Sequence, residues 1–75
     1  SALGDAAHVV CDEETGEITD ISGLTVDGEY KNALSCTDNG DDTFTVVTSD
    51  GTYTVTIHRT TDGRIERVSI SLIGG

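Results

Sequence analysis

The chain has 75 residues, with fourteen acidic against four basic side chains and a formal charge of −10. That length holds one small domain with a thin core, and the charge argues against direct binding to nucleic acid or an anionic membrane, which needs Lys and Arg to displace counterions. No stretch approaches the roughly 18 apolar residues of a membrane span, and no secretion-signal pattern opens the chain.

Residues 1–12 read as the end of a helix. Leu3, Ala6, Ala7 and Val10 recur at helical spacing in an Ala-rich segment that lacks an N-terminal cap. A helix this short is marginal in water and has to be held by packing on a sheet. The alternative for residues 8–20 is a hairpin turning at Glu14-Thr15-Gly16. Residues 13–42 read as a long connection with a short helix or strand inside it, anchored by Ile18, Ile21, Leu24, Val26, Tyr30 and Leu34. Its last part, Thr37-Asp38-Asn39-Gly40-Asp41-Asp42, is a loop by composition. A connection this long is unusual in a compact domain and is often functional. Residues 1–42 hold eleven acids and one base, Lys31, so this part carries the whole charge imbalance.

Residues 43–73 read as a three-stranded antiparallel meander. Asp50-Gly51 and Asp62-Gly63 suit two-residue type I′ turns, in which both central residues take positive φ. With those turns the first hairpin pairs Thr48 with Tyr53, Val46 with Val55, and Phe44 with Ile57. The second pairs Arg59 with Glu66, Ile57 with Val68, Val55 with Ile70, and Tyr53 with Leu72. One face then carries Phe44, Val46, Tyr53, Val55, Ile57, Val68, Ile70 and Leu72, which are the predicted core. The other carries mostly Thr and Ser, with His58 and Arg67. A one-residue slip would put every apolar group on the wrong face. A sheet this small needs a cover, which has to come from residues 1–42. The expected class is α+β, a single domain with a helix end packed on the meander.

Cys11 and Cys36 are the only cysteines. A bond between them would stabilise a thin core by roughly 3–4 kcal/mol in the chain-entropy model and would suit an oxidising compartment. The alternatives are two buried thiols, or a metal site with His8 and His58, although no Cys-x-x-Cys spacing supports zinc. Asp38, Asn39, Asp41 and Asp42 are hard oxygen donors around a Gly-containing turn and are the candidate calcium ligands. They do not follow the EF-hand spacing, and the alternative is a solvated polar loop. His58 and Ser69 share the polar sheet face, but no third group is at hand to orient the imidazole. No phosphate loop or nucleophile elbow occurs, so the reading is of a protein without catalysis or cofactor.

The order of elements resembles the globular region of a type IV pilin or pseudopilin. The likeness rests on residues 1–10 as the end of the long pilin helix and on Gly16-Glu17-Ile18-Thr19 opening the connection. Phe44-Thr45-Val46 and Gly51-Thr52-Tyr53-Thr54-Val55 then supply meander strands, and Gly63-Arg64-Ile65-Glu66 the last turn. The resemblance implies a structural subunit of a surface filament, extracellular, self-assembling with identical or related subunits through an apolar helix that this chain lacks. The competing class is a small secreted acidic module that binds or inhibits a basic protein partner. A ubiquitin-like modifier, suggested by Gly74-Gly75, is disfavoured because two adjacent C-terminal hairpins leave no place for a central helix.

Overall fold

The computed structural model describes residues 5–74. Leu3 of the helical pattern and Gly75 lie outside the described residues. Seven strands follow one another: β1 (Ala6–Cys11), β2 (Ile18–Val26), β3 (Glu29–Asn32), β4 (Ser35–Asp38), β5 (Thr43–Thr48), β6 (Gly51–Arg59) and β7 (Ile65–Gly74). They form two antiparallel sheets, β1-β2-β3 and β4-β5-β6-β7. The described residues contain no helix, so the α+β expectation is overturned and the fold is all-β. The connection at residues 13–42 is itself mostly strand, and the meander gains a fourth strand in β4.

Every ladder joins strands adjacent in sequence, so the chain is one meander bent at Ala33-Leu34. The Ala33 amide donates to Ser22 O in the first sheet at 3.0 Å, and the Leu34 amide to Val47 O in the second at 2.7 Å. Two residues thus carry the chain from one layer to the next. Ile18, Ile21 and Leu24 of β2 then pack against Phe44, Val46, Tyr53, Val55 and Ile57 of β5 and β6. Full burial of such side chains contributes about 1.5–3 kcal/mol each.

The first segment forms the hairpin that was the alternative reading. Asp12 Oδ1 accepts the amides of Glu14 (2.7 Å) and Thr15 (3.1 Å), and the Gly16 amide returns to Asp12 O at 2.8 Å. Gly16, at φ 74°, takes the left-handed conformation that a side chain would resist. The helical spacing misled because Ala reports poorly on burial. In β1 only Ala7 packs against the core, while Val9 and Val10 are 36% and 47% exposed.

β2 is bulged twice. Register shifts at His8/Val9 and Val10/Cys11 leave Ser22 and Thr19 without partners on β1. Each extra residue turns its hydroxyl to β1, with Ser22 Oγ donating to His8 O and Thr19 Oγ1 to Val10 O, both at 3.1 Å. The bulges therefore keep Ile18, Ile21 and Leu24 facing inward at intervals of three.

The β2–β3 turn is the type I′ hairpin, with Asp27 at φ 54° and Gly28 at φ 81° between paired Val26 and Glu29. The two Asp-Gly pairs expected to be of that type are not. The β5–β6 turn is centred on Ser49-Asp50, because Thr48 pairs with Gly51. Thr48 Oγ1 fixes it by accepting the Asp50 amide (3.2 Å) and donating to Gly51 O (3.0 Å). The register moves by two, so Phe44 faces Val55 and Val46 faces Tyr53, and the inner face keeps its residues because the side-chain period is two. The last hairpin keeps Ile57–Val68, Val55–Ile70 and Tyr53–Leu72, but Arg59 pairs with Ile65 and Glu66 is bulged out. Its turn is a three-residue loop, in which the Gly63 amide donates to Thr60 O at 3.0 Å and Gly63 sits at φ 87°. In the predicted core, Phe44, Val46, Tyr53, Val55 and Ile57 are buried, Val68 and Ile70 half-buried. Leu72 is corrected to a surface position, 59% exposed, because β7 is the outer strand of its sheet and loses cover along its end.

Candidate functional site

The chain passes from β3 into β4 through Ala33-Leu34 without reversing, so the β1–β2 turn, the β4–β5 loop and the β6–β7 turn open at the same end and meet around a cleft. Glu17, Ile18, Asp38, Gly40, Asp42, Phe44 and Arg59 line it, with a volume of about 140 Å³. The walls are held by local bonds. Asp38 Oδ1 accepts the Gly40 amide at 2.8 Å, and the Asn39 amide donates to Thr43 O at 3.0 Å. Asp42 takes φ 64°, and its carbonyl accepts the Ile57 amide at 2.8 Å. Arg59 ties two of the loops together, with Nε on Asp42 Oδ2 at 3.0 Å and Nη1 on Gly63 O at 3.1 Å. The cleft therefore has an apolar floor, Ile18 and Phe44, under three carboxylates and one guanidinium already bound to Asp42. That arrangement suits a cation on an apolar stem, such as a Lys or Arg side chain.

The four candidate calcium ligands do not converge. Asp38 and Asp42 line the cleft, but Asp41 Oδ1 turns away to the Thr43 amide (3.2 Å) and hydroxyl (2.5 Å). The Asn39 side-chain amide donates to Thr43 Oγ1 and Thr45 Oγ1, both at 3.1 Å. Among the described residues no group of three or more His, Cys, Asp or Glu is placed to hold a metal. The expected staple is corrected too: Cys11 and Cys36 are free thiols. Cys11 ends β1 opposite Ile18, and Cys36 lies on β4 opposite Val46, so the two belong to different sheets. Burial pushes the Cys36 thiol up, against a lowering hydrogen bond from the Ile21 backbone, with Asp20 and Asp38 adding to the rise.

The histidines are also separated. His8 Nε2 lies 2.8 Å from Thr25 Oγ1, and its ring meets Tyr30 edge-on at 5.2 Å. His58 Nε2 does reach Ser69 Oγ, at 2.8 Å, but the hydroxyl is shared with Arg67 Nη1 at 3.1 Å. Sequence reasoning missed Glu17, Ile18 and Arg59 as neighbours of the acidic loop. The hairpin alternative at Glu14-Thr15-Gly16 was the signal that could have placed the first two. It also missed Lys31, which faces inward beside Leu24. The ammonium of Lys31, on a side chain only 12% exposed, reaches Asp50 at 2.5 Å and Glu29 at 3.2 Å.

Comparison of the chain with protein-family models, with curated proteins and with solved structures gives no match. Its class rests on fold and site alone: a small two-sheet all-β module with an acid-walled cleft at one end of the meander.

Proposed function

We propose that this chain is a non-catalytic binding module whose acidic loop end docks against a basic protein surface. The observation that carries the reading is the cleft, where loops far apart in sequence bring Glu17, Asp38 and Asp42 around Ile18 and Phe44. Asp12, Glu13, Glu14, Asp41 and Asp62 lie in the same three connections, so the end as a whole attracts cationic partners over distance. The filament-subunit reading needed residues 1–10 to be the end of a packing helix, and Ala6–Cys11 is a strand. The filament, its adhesive role and helix-driven self-assembly therefore lose the element that supported them.

The test is binding of an oligolysine peptide followed by calorimetry at increasing salt. The double variant Glu17→Gln/Asp38→Asn should weaken binding at least about tenfold, the scale of two lost charge-assisted contacts. Asp27→Asn/Glu29→Gln removes the same charge at the β2–β3 turn, at the other end of β2 from the cleft, and should change affinity little. Equal losses from both pairs would reduce the interaction to net charge and sink the cleft as its seat.

A further inference from the structure

We infer that His58, Arg67 and Ser69 form a subsite for a tetrahedral oxyanion, a phosphate or sulfate group, on the outer face of the larger sheet. This site lies outside the cleft and uses none of its residues. His58 and Arg67 are direct partners across β6 and β7, and Ser69 follows two residues along β7, so all three share one face. Ser69 Oγ lies 2.8 Å from His58 Nε2 and accepts from Arg67 Nη1 at 3.1 Å. The three polar groups are thus already gathered at one point.

The ion pairing sets Arg67 apart. On a chain with fourteen carboxylates, Lys31 is paired with Asp50 and Glu29, Arg59 with Asp42, and Arg64 with Asp62. Arg67, among the described residues, has no carboxylate partner and is held by a neutral hydroxyl. A guanidinium carries five N–H donors, so most of its capacity faces outward. The rows beside it, Thr56–Ser69 and Thr54–Ser71, add hydroxyls and no negative charge. With His58 Nε2–H donating to Ser69 Oγ, His58 positions the hydroxyl, and the Ser69 O–H together with the outward N–H groups of Arg67 is left to meet the several oxygens of a tetrahedral anion. Screening over about 8 Å at physiological salt lets a small anion reach the middle of this face, while the acidic ends disfavour a long polyanion.

The experiment follows amide and imidazole NMR signals during titration with inorganic phosphate, with chloride and acetate at matched ionic strength as references. Saturable shifts at His58, Arg67 and Ser69 are expected with phosphate, with a dissociation constant of roughly 1–10 mM. Arg67→Gln, at an exposed position, should keep the native spectrum and weaken phosphate at least about tenfold. A parallel titration with O-phosphoserine separates a free anion from a modified side chain as the source, according to which binds tighter. The inference is overturned if the shifts do not saturate, if chloride or acetate reproduces them, or if natively folded Arg67→Gln binds phosphate as well as the parent.

Discussion

β2 and β6 are both nine-residue strands, and each places three large side chains in the same core. They do so by different rules. In β6 the buried residues Tyr53, Val55 and Ile57 alternate, as the pleat demands. In β2 they are Ile18, Ile21 and Leu24, three apart, because Thr19 and Ser22 each take up an extra position in a bulge. The unpaired residues are not neutral filler. Their hydroxyls occupy β1 carbonyls that the broken ladder would otherwise leave to water. A strand can therefore show helix-like apolar spacing when hydroxyl residues stand between the apolar ones. Of the two strands, β6 is the easier to read, because its buried residues keep the period of the pleat.

The strongest way to break the comparison is to charge one layer at a time. Leu24 and Val55 are both fully buried, one from each sheet. If the sheets share one cooperative core, Leu24→Asp and Val55→Asp should each cost more than about 4 kcal/mol and abolish the folded state. Residual cooperative melting of Leu24→Asp, seen by circular dichroism, would show that the larger sheet stands alone. A smaller effect is expected where β2 meets β3. A Cβ on Gly23 would overlap the hydroxyl end of the Tyr30 side chain, so Gly23→Ala should destabilise by about 1–3 kcal/mol. Tyr30 is exposed, and Tyr30→Ala should relieve most of that cost in a double-mutant cycle.

How much of this was legible follows from the same contrast. The inner face of β5 and β6 could be read because a two-residue slip leaves period-two faces unchanged, even though Phe44 and Ile57 proved not to be partners. Turn type was not legible from Asp-Gly alone. The dipeptide tolerates positive φ but does not fix where a two-residue loop falls, and Thr48 pulled the first turn back onto Ser49-Asp50. β1 was lost to alanines that carry little burial signal, and β4 to a four-residue Ser-Cys-Thr-Asp strand without alternation. The acidic loop was recognised, but its partners were not. Glu17 reaches it through the β1–β2 turn, which the helix assignment concealed, and Arg59 through its bond to Asp42 at the start of the β6–β7 turn.

Finer tests sharpen the account of the bulges and of the tie between layers. Thr19→Val and Ser22→Ala each remove one hydroxyl bond to β1 and should cost about 0.5–1.5 kcal/mol in denaturant melts; costs near zero would mean that water replaces them fully. The smallest effect should be at Lys31, whose ammonium joins β3 to the β5–β6 turn of the other sheet. Its pKa is raised above the ordinary 10.5, first by the hydrogen bond to Asp50 and then by that to Glu29. A group that binds its proton more tightly when folded stabilises the fold at every pH below its unfolded value, and that contribution is lost as pH climbs through the raised one. The parent should therefore melt above Lys31→Met at neutral pH, and the gap should narrow only above about pH 10.5. A gap that is constant through that range would assign the role of Lys31 to its methylene stem packed beside Leu24 and not to the ion pair with Asp50.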